Sequence, residues 1–286
     1  MEKLIERAKT LVEALPYIQS YRDKIVVVKY GGNAMINEEL FNNVMDDVIL
    51  LNYVGIHVVL VHGGGPEINA MLTKIGKESK FIDGLRYTDQ ETMDVVQAVL
   101  CGKVNKDLVA AIVRKGAKAI GLSGLDDGIL KAIQKTSNGK DYGLVGVVTE
   151  VNPKPILNAL STNTIPVLAT VALGTDQHTS YNVNADTAAA ELAIALKAEK
   201  LMILTDTAGV LKEESGEKKL ISKMNKTEVD SFIQKEIITG GMIPKVECCV
   251  NAIQHGVKRT HIIDGRVPHS ILIEILTDEG VGTMIY

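Results

Sequence analysis

Short, purely aliphatic runs alternate along the sequence with longer segments of helical periodicity, and this alternation limits the possible folds more than any other feature. Residues 25–28 read IVVV and residues 58–61 read VVLV, so apolar side chains occupy consecutive positions rather than every second one. Strands with this pattern are covered on both faces, as happens when helices pack on the two sides of a parallel sheet. The sequence therefore predicts an α/β fold with an open, mostly parallel central sheet and helices on both faces, an αβα sandwich.

The alternation continues to the end of the chain. Strands are predicted at 25–30, 56–61, 117–122, 164–171, 200–205 and 261–263. Helices are predicted at 2–14, 38–54, 66–76, 90–115, 153–161, 185–197, 227–235 and 244–255. Turn residues within 128–151 indicate a hairpin, the hydrophilic stretch 212–220 indicates a surface hairpin or loop, and a short helix and a last strand are expected after residue 263.

The helix predicted ahead of the first core strand needs a surface on which to bury its apolar side. Residues 2–14 carry apolar side chains at helical spacing. Pro16 is expected to kink or end this helix, because proline has no backbone N–H. The helix packs either on its own domain or on a partner subunit, and the pattern alone leaves both open.

Composition narrows the class of function. Apolar residues make up 46% of the chain, but only 4% of residues are aromatic and there is no tryptophan, so the core must be aliphatic. The formal net charge of -4 argues against a partner such as nucleic acid or an anionic membrane surface. The charged, amphipathic start does not resemble a signal peptide, and no apolar run reaches the ~18 residues of a membrane span, so we expect a cytoplasmic protein. The three cysteines lack metal-ligand spacing and are expected to be reduced thiols.

Three consecutive glycines, Gly63, Gly64 and Gly65, stand between a predicted strand and a helix that starts near Pro66. Glycine lets backbone N–H groups approach a ligand, and the helix N-terminus adds partial positive charge, so the segment favours a bound anion. A tight turn without a ligand is the alternative. A dinucleotide fingerprint would need a small residue where Ile68 stands, and no Gly-Lys pair has the spacing of a Walker P-loop.

Two lysines lie beside glycine pairs. Lys29 is near the end of the first strand and a glycine pair follows it, whereas Lys245 lies in the first turn of a predicted helix that another glycine pair precedes. A cation at a helix N-terminus opposes the macrodipole, and local rules of this kind are broken most often at functional sites. A structural lysine that reaches out to solvent remains the alternative for Lys29. Cations and glycine-rich helix N-termini suit phosphoryl transfer, whose transition state spreads negative charge over the phosphoryl oxygens.

Six motifs, in order, are KYGGNAM, VHGGGPEIN, FIDGLRYTD, YNVNADTAAAELA, LTDTAGVL and GGMIPK. With them the chain resembles the acetylglutamate kinases of the amino acid kinase family, from about residue 5 to residue 286. The resemblance implies the amino acid kinase fold and phosphorylation of the side-chain carboxylate of N-acetyl-L-glutamate by ATP. The product would be N-acetyl-L-glutamyl 5-phosphate, formed in the second step of arginine biosynthesis. Mg²⁺ is expected to bind through the ATP phosphates, without a dedicated set of protein ligands.

The resemblance assigns roles to the residues that match the motifs. Lys29 and Lys245 would stabilise the transferring phosphoryl group, and Asp186 would orient both lysines. From the residues alone, Asp186 could be only an acidic first-turn residue and Arg86 only a surface turn residue. The residues expected to bind the acyl amino acid are Gly64, Gly65, Arg86 and Asn182. Those expected to bind the nucleotide or its phosphates are Gly31, Gly32, Asp206, Thr207, Gly209, Gly241 and Met242.

The resemblance also implies regulation and assembly. Arginine-inhibited members use a kinked leading helix to join dimers into a hexamer, and they bind arginine between that helix and the C-terminal lobe. Three units are expected: 1–24 for oligomerisation, 25–175 as the lobe that binds acetylglutamate and forms the dimer, and 176–286 as the lobe that binds ATP and arginine. The residues expected to bind L-arginine as an inhibitor are Tyr17, His261, Glu274 and Gly280.

Other functions remain open from the sequence. One is a non-catalytic subunit on the same fold that senses arginine or a nucleotide. Another is a kinase of the same family that acts on a different carboxylate or on carbamate. The presence of Lys29, Asp186 and Lys245 together favours an enzyme, because a sensor would not need all three residues.

Overall fold

The structure is a computed structural model that describes residues 1–31, 35, 37–137, 139–214 and 216–286. Its α-helices are α1 (Glu2–Glu13), α2 (Leu15–Tyr21), α3 (Glu38–Tyr53), α4 (Gly65–Lys74), α5 (Gln90–Gln97), α6 (Asn105–Arg114), α7 (Lys154–Ser161), α8 (Ala185–Ala195), α9 (Val229–Gln234), α10 (Met242–Gln254) and α11 (Ser270–Leu276). In this described part of the chain, no helix is long and apolar enough to cross a membrane.

The strands confirm the predicted alternation. They are β1 (Ile25–Tyr30), β2 (His57–His62), β3 (Phe81–Ile82), β4 (Leu85–Arg86), β5 (Ala119–Gly124), β6 (Leu130–Ser137), β7 (Lys140–Val151), β8 (Ile165–Gly174), β9 (Ser180–Asn182), β10 (Lys200–Thr205), β11 (Leu211–Glu214), β12 (Glu217–Leu220), β13 (Lys223–Met224), β14 (Arg259–Asp264) and β15 (Gly282–Ile285). Strands β6 and β7 form the hairpin predicted within 128–151, and β11 and β12 form the surface hairpin predicted at 212–220.

One large sheet organises the molecule. Its strand order is β13-β15-β14-β10-β1-β2-β8-β6-β7-β9, with β5 paired to β8. The central strands β14, β10, β1, β2 and β8 are all parallel to their neighbours in this group. Antiparallel pairs occur towards the two ends of the sheet, between β14 and β15, β6 and β7, and β8 and β9. The predicted open, mostly parallel sheet is therefore confirmed.

Helices cover both faces of this sheet, as predicted. Along β1, Val26 and Val28 belong to one buried cluster, which includes side chains of α3 to α6 and α11. Val27, between them, points into a second cluster with side chains of α7 to α10. Each buried Val, Leu or Ile contributes roughly 1.5–3 kcal/mol through removal of its apolar surface from water. The continuous aliphatic pattern of β1 follows from this burial on two sides.

Side-chain caps fix where several helices begin. Asn37 accepts a hydrogen bond from Leu40 N–H ahead of α3, and Asp89 accepts one from Thr92 N–H ahead of α5. Asn184 accepts from the N–H groups of Asp186 and Thr187 ahead of α8. Replacement of such a cap by alanine costs ~1 kcal/mol. The cap at Asn184 therefore holds Asp186 in the first turn of α8.

Some local features differ from the prediction. The helical stretch predicted at 90–115 is present, but a π-helical segment at Ala98–Val104 separates α5 from α6. The short strands β3, β4 and β9 were not predicted, because two or three residues are too few for a periodic pattern. The kink expected at Pro16 is confirmed: α1 ends at Glu13, and Pro16 lies in the first turn of α2, where its missing N–H costs nothing.

Helix α1 is not covered by the described part of its own chain. None of its residues is buried, and Leu4 and Leu11 are 61% and 75% exposed. Packing on its own domain, one of the two alternatives left open by the sequence, is therefore wrong for this helix. The division into lobes 25–175 and 176–286 stays a prediction, since one continuous sheet crosses it through the pairing of β1 with both β2 and β10.

Candidate active site

Strand register brings Lys29 next to the triple-glycine segment. In β1, Lys29 is level with Val61 of β2, and Tyr30 is level with His62, the residue before Gly63. The N–H of Gly63 donates to the carbonyl of Tyr30 at 3.2 Å, which continues the pairing by one residue. Ligands of open α/β sheets bind at this carboxyl edge. The lysine and the glycines therefore share one site at the edge of the sheet.

A carboxylate joins the two predicted lysines. Asp186 Oδ1 lies 2.9 Å from Lys29 Nζ, and Asp186 Oδ2 accepts a hydrogen bond of 2.6 Å from Lys245 Nζ. Lys29 is only 8% exposed, so it does not reach out to solvent, and that alternative is wrong. Asp186 is a first-turn residue of α8, as the simpler alternative held, but it also holds both lysines in place.

Burial and the two lysines shift the pKa of Asp186 in opposite directions. Burial raises the pKa of this carboxyl, but the charges and hydrogen bonds of Lys29 and Lys245 outweigh burial and bring the pKa below its ordinary value. The carboxylate is therefore ionised at neutral pH, and two cations around one anion leave a net charge of about +1. In a largely buried setting, such a charge attracts and stabilises an anion more strongly than it would in water.

The three consecutive glycines have different surroundings. A Cβ at Gly64 would lie 2.7 Å from Leu100 Cδ2 and 3.2 Å from Val104 Cγ2, so a side chain at this position would have to displace these two side chains of the π-helical segment. A Cβ at Gly65 would meet nothing within 4 Å, which means that this residue borders open space. Gly65 therefore leaves bare backbone at the place where a ligand is predicted to bind, whereas the missing side chain of Gly64 also makes room for Leu100 and Val104.

A cavity of about 250 Å³ lies in front of Lys29 and the glycines. It is lined by all four residues expected to bind the acyl amino acid, namely Gly64, Gly65, Arg86 and Asn182, and by Gly31. Asn182 comes from β9, which the sequence did not predict, and β9 is held there by pairing with β8 and β7. The structure therefore brings these residues together around one small cavity next to Lys29.

Arg86 is a buried cation with neutral partners. Its Nη1 donates to Ser79 Oγ at 2.7 Å, its Nη2 donates to the carbonyl of Gly65 at 3.2 Å, and its guanidinium lies 4.9 Å from the centre of the Phe81 ring. Burial lowers its pKa, and it is only 8% exposed, so the alternative of a surface turn residue is wrong. Within the described residues no carboxylate lies at ion-pair distance from Arg86. A buried guanidinium in this position favours an anionic ligand.

A larger cleft of about 1030 Å³ lies on the other side of the lysine pair. Asp186, Lys245 and Gly241 line it, and so do Lys135 and Tyr142 of the β6–β7 hairpin. The sequence did not point to Lys135 and Tyr142, because a lysine and a tyrosine in a polar hairpin carry no signal that distinguishes them from surface residues. Both cavities include Gly84, Leu85, Val145 and Asn184, so they are neighbours that meet at the lysine pair.

The other residues expected to bind the nucleotide lie elsewhere or have structural roles. Asp206 and Thr207 follow the end of β10, and Met242 begins α10, but none of them lines either cavity. Gly209 has a φ of +127°, and a Cβ there would lie 2.6 Å from Thr283 Oγ1, so chain geometry alone requires glycine. Gly32, another predicted phosphate contact, lies outside the described residues.

A third cavity, of about 1000 Å³, lies between α2 and the last part of the chain. It is lined by all four residues expected to bind arginine, namely Tyr17, His261, Glu274 and Gly280. Glu274 Oε1 lies 2.8 Å from His261 Nε2 and 3.5 Å from Lys200 Nζ. A Cβ at Gly280 would lie 2.7 Å from Glu274 Oε2, so a side chain at this position would have to displace the Glu274 carboxylate.

A parallel sheet with two lysines and glycine-rich helix starts at its carboxyl edge defines a phosphotransferase-like class of protein. Residues 24–264 match the amino acid kinase family, and the chain belongs to this family. The family resemblance seen in the sequence motifs is therefore confirmed.

Close relatives are named acetylglutamate kinase. One from Clostridium kluyveri is 53% identical over 281 residues, which cover 98% of this chain and 99% of the relative. Another, from Caldicellulosiruptor bescii, is 53% identical over 290 residues, which cover 100% of this chain and 98% of the relative.

Solved structures agree on the fold. N-acetylglutamate synthase from Neisseria gonorrhoeae, complexed with coenzyme A and N-acetyl-glutamate, has a TM-score of 0.86 at 25% identity, over 97% of this chain and 63% of that chain. Carbamate kinase from Giardia lamblia, bound to AMP-PNP, has a TM-score of 0.65 at 16% identity, over 92% of this chain and 98% of that chain. The second likeness shows the fold alone.

Proposed function

We propose that this protein transfers the γ-phosphoryl group of ATP to the side-chain carboxylate of N-acetyl-L-glutamate and thereby forms N-acetyl-L-glutamyl 5-phosphate for arginine biosynthesis, in the cytoplasm. The observation that carries the proposal is the position of the Lys29–Asp186–Lys245 cluster between a small cavity with a buried arginine and a larger cleft. The identity of 53% to acetylglutamate kinases over nearly the whole chain supports the same acceptor.

The small cavity suits an acyl amino acid with two carboxylates. Arg86 offers a planar guanidinium that matches the α-carboxylate better than the point charge of a lysine would. Asn182 and the backbone of Gly64 and Gly65 supply uncharged polar groups for the rest of the ligand. Lys29 lines the same cavity, so the side-chain carboxylate of a ligand held by Arg86 would lie towards the lysine pair.

The proposed chemistry needs no general base. A carboxylate oxygen of the acceptor forms a bond with the γ-phosphorus, the bond from that phosphorus to the β-phosphate bridging oxygen breaks, and ADP leaves with the electron pair. The acceptor is already an anion, so no proton has to be removed. Lys29 and Lys245 hold the transferring oxygens and stabilise their growing negative charge, while Asp186 keeps the two ammonium groups in place.

ATP would occupy the larger cleft, with its phosphates at Lys245, Gly241 and Gly31. Asp206, Thr207, Gly209 and Met242 stay in the proposal as the nucleotide-side residues near the ends of β10 and α10. Within the described residues no group of three or more His, Cys, Asp or Glu side chains could hold a metal ion. Mg²⁺ would be held by the phosphates of ATP, where it would neutralise part of their charge.

The third cavity is the proposed site of feedback inhibition by L-arginine. Glu274 supplies a carboxylate for the guanidinium or the amino group of arginine, and Tyr17 connects the cavity to the leading helices. The exposed apolar side of α1 supports residues 1–24 as an oligomerisation segment, because an uncovered apolar patch marks a surface that interacts with a partner. A homodimer joined through α1 into a hexamer is the proposed assembly, with 25–175 and 176–286 as the two lobes of each subunit.

The first test is ATP-dependent hydroxamate formation from N-acetyl-L-glutamate, with and without millimolar arginine. Product that decreases with arginine supports both the kinase and its regulation, and product that does not respond to arginine contradicts only the regulation. No product, with ATP still bound, would favour the sensor. Carbamate and other carboxylates, offered as acceptors in the same assay, decide whether another member of the family is the better description.

Arg86→Ala tests how the acceptor is recognised. We expect the KM for N-acetyl-L-glutamate to rise about 100-fold, because the charged pair with the α-carboxylate is lost, while the KM for ATP changes little. Arg86→Lys is the matched control and should restore only part of the affinity, since it keeps the charge but loses the two-pronged geometry. An unchanged KM for N-acetyl-L-glutamate in Arg86→Ala would contradict the proposed position of the acceptor.

A further inference from the structure

We infer that Thr88 is a positioning residue for the acceptor cavity, because it connects Arg86, Asn182 and the β6–β7 hairpin through one buried side chain and its own backbone. The inference rests on the proposed function and deepens it. Thr88 does not line the cavity, so it would act only through the residues that do.

The hydroxyl of Thr88 both donates and accepts a hydrogen bond. It donates to the backbone carbonyl of Arg86 at 2.8 Å and accepts a hydrogen bond of 3.1 Å from Asn182 Nδ2. Thr88 is 0% exposed, so water does not compete for these hydrogen bonds. One hydroxyl therefore links the backbone of Arg86 to the side chain of Asn182, although these two residues come from separate parts of the sequence.

The backbone of Thr88 is hydrogen-bonded to the β6–β7 hairpin. Its N–H donates to the carbonyl of Tyr142 at 3.2 Å, and its carbonyl accepts from Leu144 N–H at 2.6 Å. Between these two residues, Gly143 has a φ of +66°, and a Cβ there would collide with the Thr88 carbonyl. Thr88 thus has a fixed position relative to β7. Arg86 and Asn182, which are hydrogen-bonded to its hydroxyl, are therefore also positioned relative to β7.

The consequence is a preorganised acceptor site. Donation to Thr88 restricts the Asn182 amide to one orientation and leaves its oxygen and its second N–H for a ligand. The hydrogen bond to the Arg86 carbonyl restricts the backbone from which the guanidinium extends. Side chains held in this way lose less conformational freedom when the ligand binds, so a supporting residue can change affinity without touching the ligand.

The test compares Thr88→Val with Thr88→Ser. Valine keeps the shape of threonine but removes the hydroxyl, whereas serine keeps the hydroxyl and removes a methyl group. We expect Thr88→Val to raise the KM for N-acetyl-L-glutamate about 10-fold and to change the KM for ATP little, because two hydrogen bonds of the acceptor side are lost. Thr88→Ser should stay within about threefold of the wild type.

A matched control separates this role from a general loss of stability. Thr260→Val removes another buried hydroxyl, which contacts the Ile285 carbonyl at 3.4 Å and belongs to a residue that lines neither cavity. It should lower the thermal midpoint without raising the KM for the acceptor. In the double variant Thr88→Val/Asn182→Ala, the rise in KM should be smaller than the product of the two single effects, because Thr88 acts partly through Asn182.

The outcomes distinguish this inference from the proposed function. An inactive wild type would overturn the proposed reaction, and the role of Thr88 would then be decided by crystal structures of the wild type and Thr88→Val. A displaced Asn182 amide in the variant supports the inference, and an unmoved Asn182 and Arg86 overturn it. With an active wild type, equal KM values for N-acetyl-L-glutamate in wild type and Thr88→Val would overturn the inference and leave the kinase intact.

Discussion

Two clusters in this molecule each join one carboxylate to two basic side chains, and they lie at opposite ends of the central strands. In the active-site cluster, Asp186 contacts Lys29 and Lys245 at the carboxyl edge. In the cluster of the third cavity, which we call the effector cluster, Glu274 contacts Lys200 and His261. Lys200 is the first residue of β10, and its partner in register on β1 is Val26, three positions before Lys29. One sheet therefore presents a carboxylate with two basic partners at both ends of its central strands.

The difference between the clusters is their charge. Two lysines around Asp186 leave a net positive charge, which suits a phosphoryl group. Burial lowers the pKa of His261, although the hydrogen bond with Glu274 opposes this effect. Burial raises the pKa of Glu274, but its partners outweigh burial and bring the pKa below its ordinary value. His261 is then neutral at neutral pH, so Lys200 and Glu274 cancel, and a cluster without net positive charge can accept a cationic ligand such as arginine.

The largest expected effect comes from the active-site cluster. Lys29→Ala should lower kcat at least 100-fold, about 3 kcal/mol of the barrier, because it removes a preorganised positive charge from the transferring phosphoryl group. Steady-state hydroxamate kinetics measure this change. Lys103→Ala is the matched control, since Lys103 forms an exposed ion pair with Asp107, and it should keep kcat near the wild-type value. A kcat of Lys29→Ala within a few-fold of the wild-type value would show that the active-site cluster does not carry out catalysis.

An intermediate effect is expected at the effector cluster. Glu274→Gln removes the carboxylate but keeps the size of the side chain, so the concentration of arginine that halves the rate should rise at least about 10-fold. Each variant is compared with its own rate in the absence of arginine. If Glu274→Gln responds to arginine as the wild type does, the effector cluster does not bind arginine, and the third cavity is not the arginine site.

The smallest expected effect is a pH dependence that only the effector cluster has. The pKa of His261 lies below its ordinary value in the folded protein, so the unfolded chain takes up a proton first as the pH falls, and the contribution of neutral His261 to stability is lost in that window. Protonation also adds a positive charge beside Glu274. Because the pKa of His261 is lowered, we expect the half-inhibitory arginine concentration to stay nearly constant from about pH 7.5 down to the ordinary histidine pKa of about 6.5, and to rise roughly threefold only at lower pH, where the folded protein takes up the proton.

A control variant tests whether His261 causes this pH response. His261→Asn keeps a polar side chain without a titratable proton, so its arginine response should vary less with pH than that of the wild type. Asp186 stays ionised over the same range because the two lysines keep its pKa low, so the uninhibited rate should not follow the same curve. A parallel change in both quantities would mean that His261 does not control the response.

Much of the fold could be predicted because the pattern of each strand and helix is local. The aliphatic run of β1 and the cap at Asn184 can be read directly from neighbouring residues. Short elements could not be predicted in this way. Strand β9 has only three residues, and it exists because β7 and β8 pair with it, yet it carries Asn182 to the acceptor cavity. Thr88 was missed for a similar reason, since its importance lies in partners far away in the sequence.

The three consecutive glycines show that one sequence feature can have more than one structural cause. From the sequence, the three residues were one anion-binding feature, whereas the structure places Gly64 against Leu100 and Val104 and leaves Gly65 beside open space. A missing side chain has the same appearance in a sequence whether it makes room for a ligand or for a neighbouring helix. Only the positions of the surrounding side chains separate the two causes.

The sequence by itself determined the order of the strands and helices, the aliphatic core and the types of residue at the ends of the strands, because backbone hydrogen bonding and burial impose periods that neighbouring residues reveal. The tertiary structure decided which carboxylate meets which lysines, that Arg86 is buried, and that Thr88 joins three segments. These facts depend on how distant segments pair and pack, and no local pattern records them. The same sheet places a lysine and a carboxylate together at both ends of its central strands. The third partner, Lys245 in one cluster and His261 in the other, is the reason that we propose a phosphoryl anion at one end and a cation at the other.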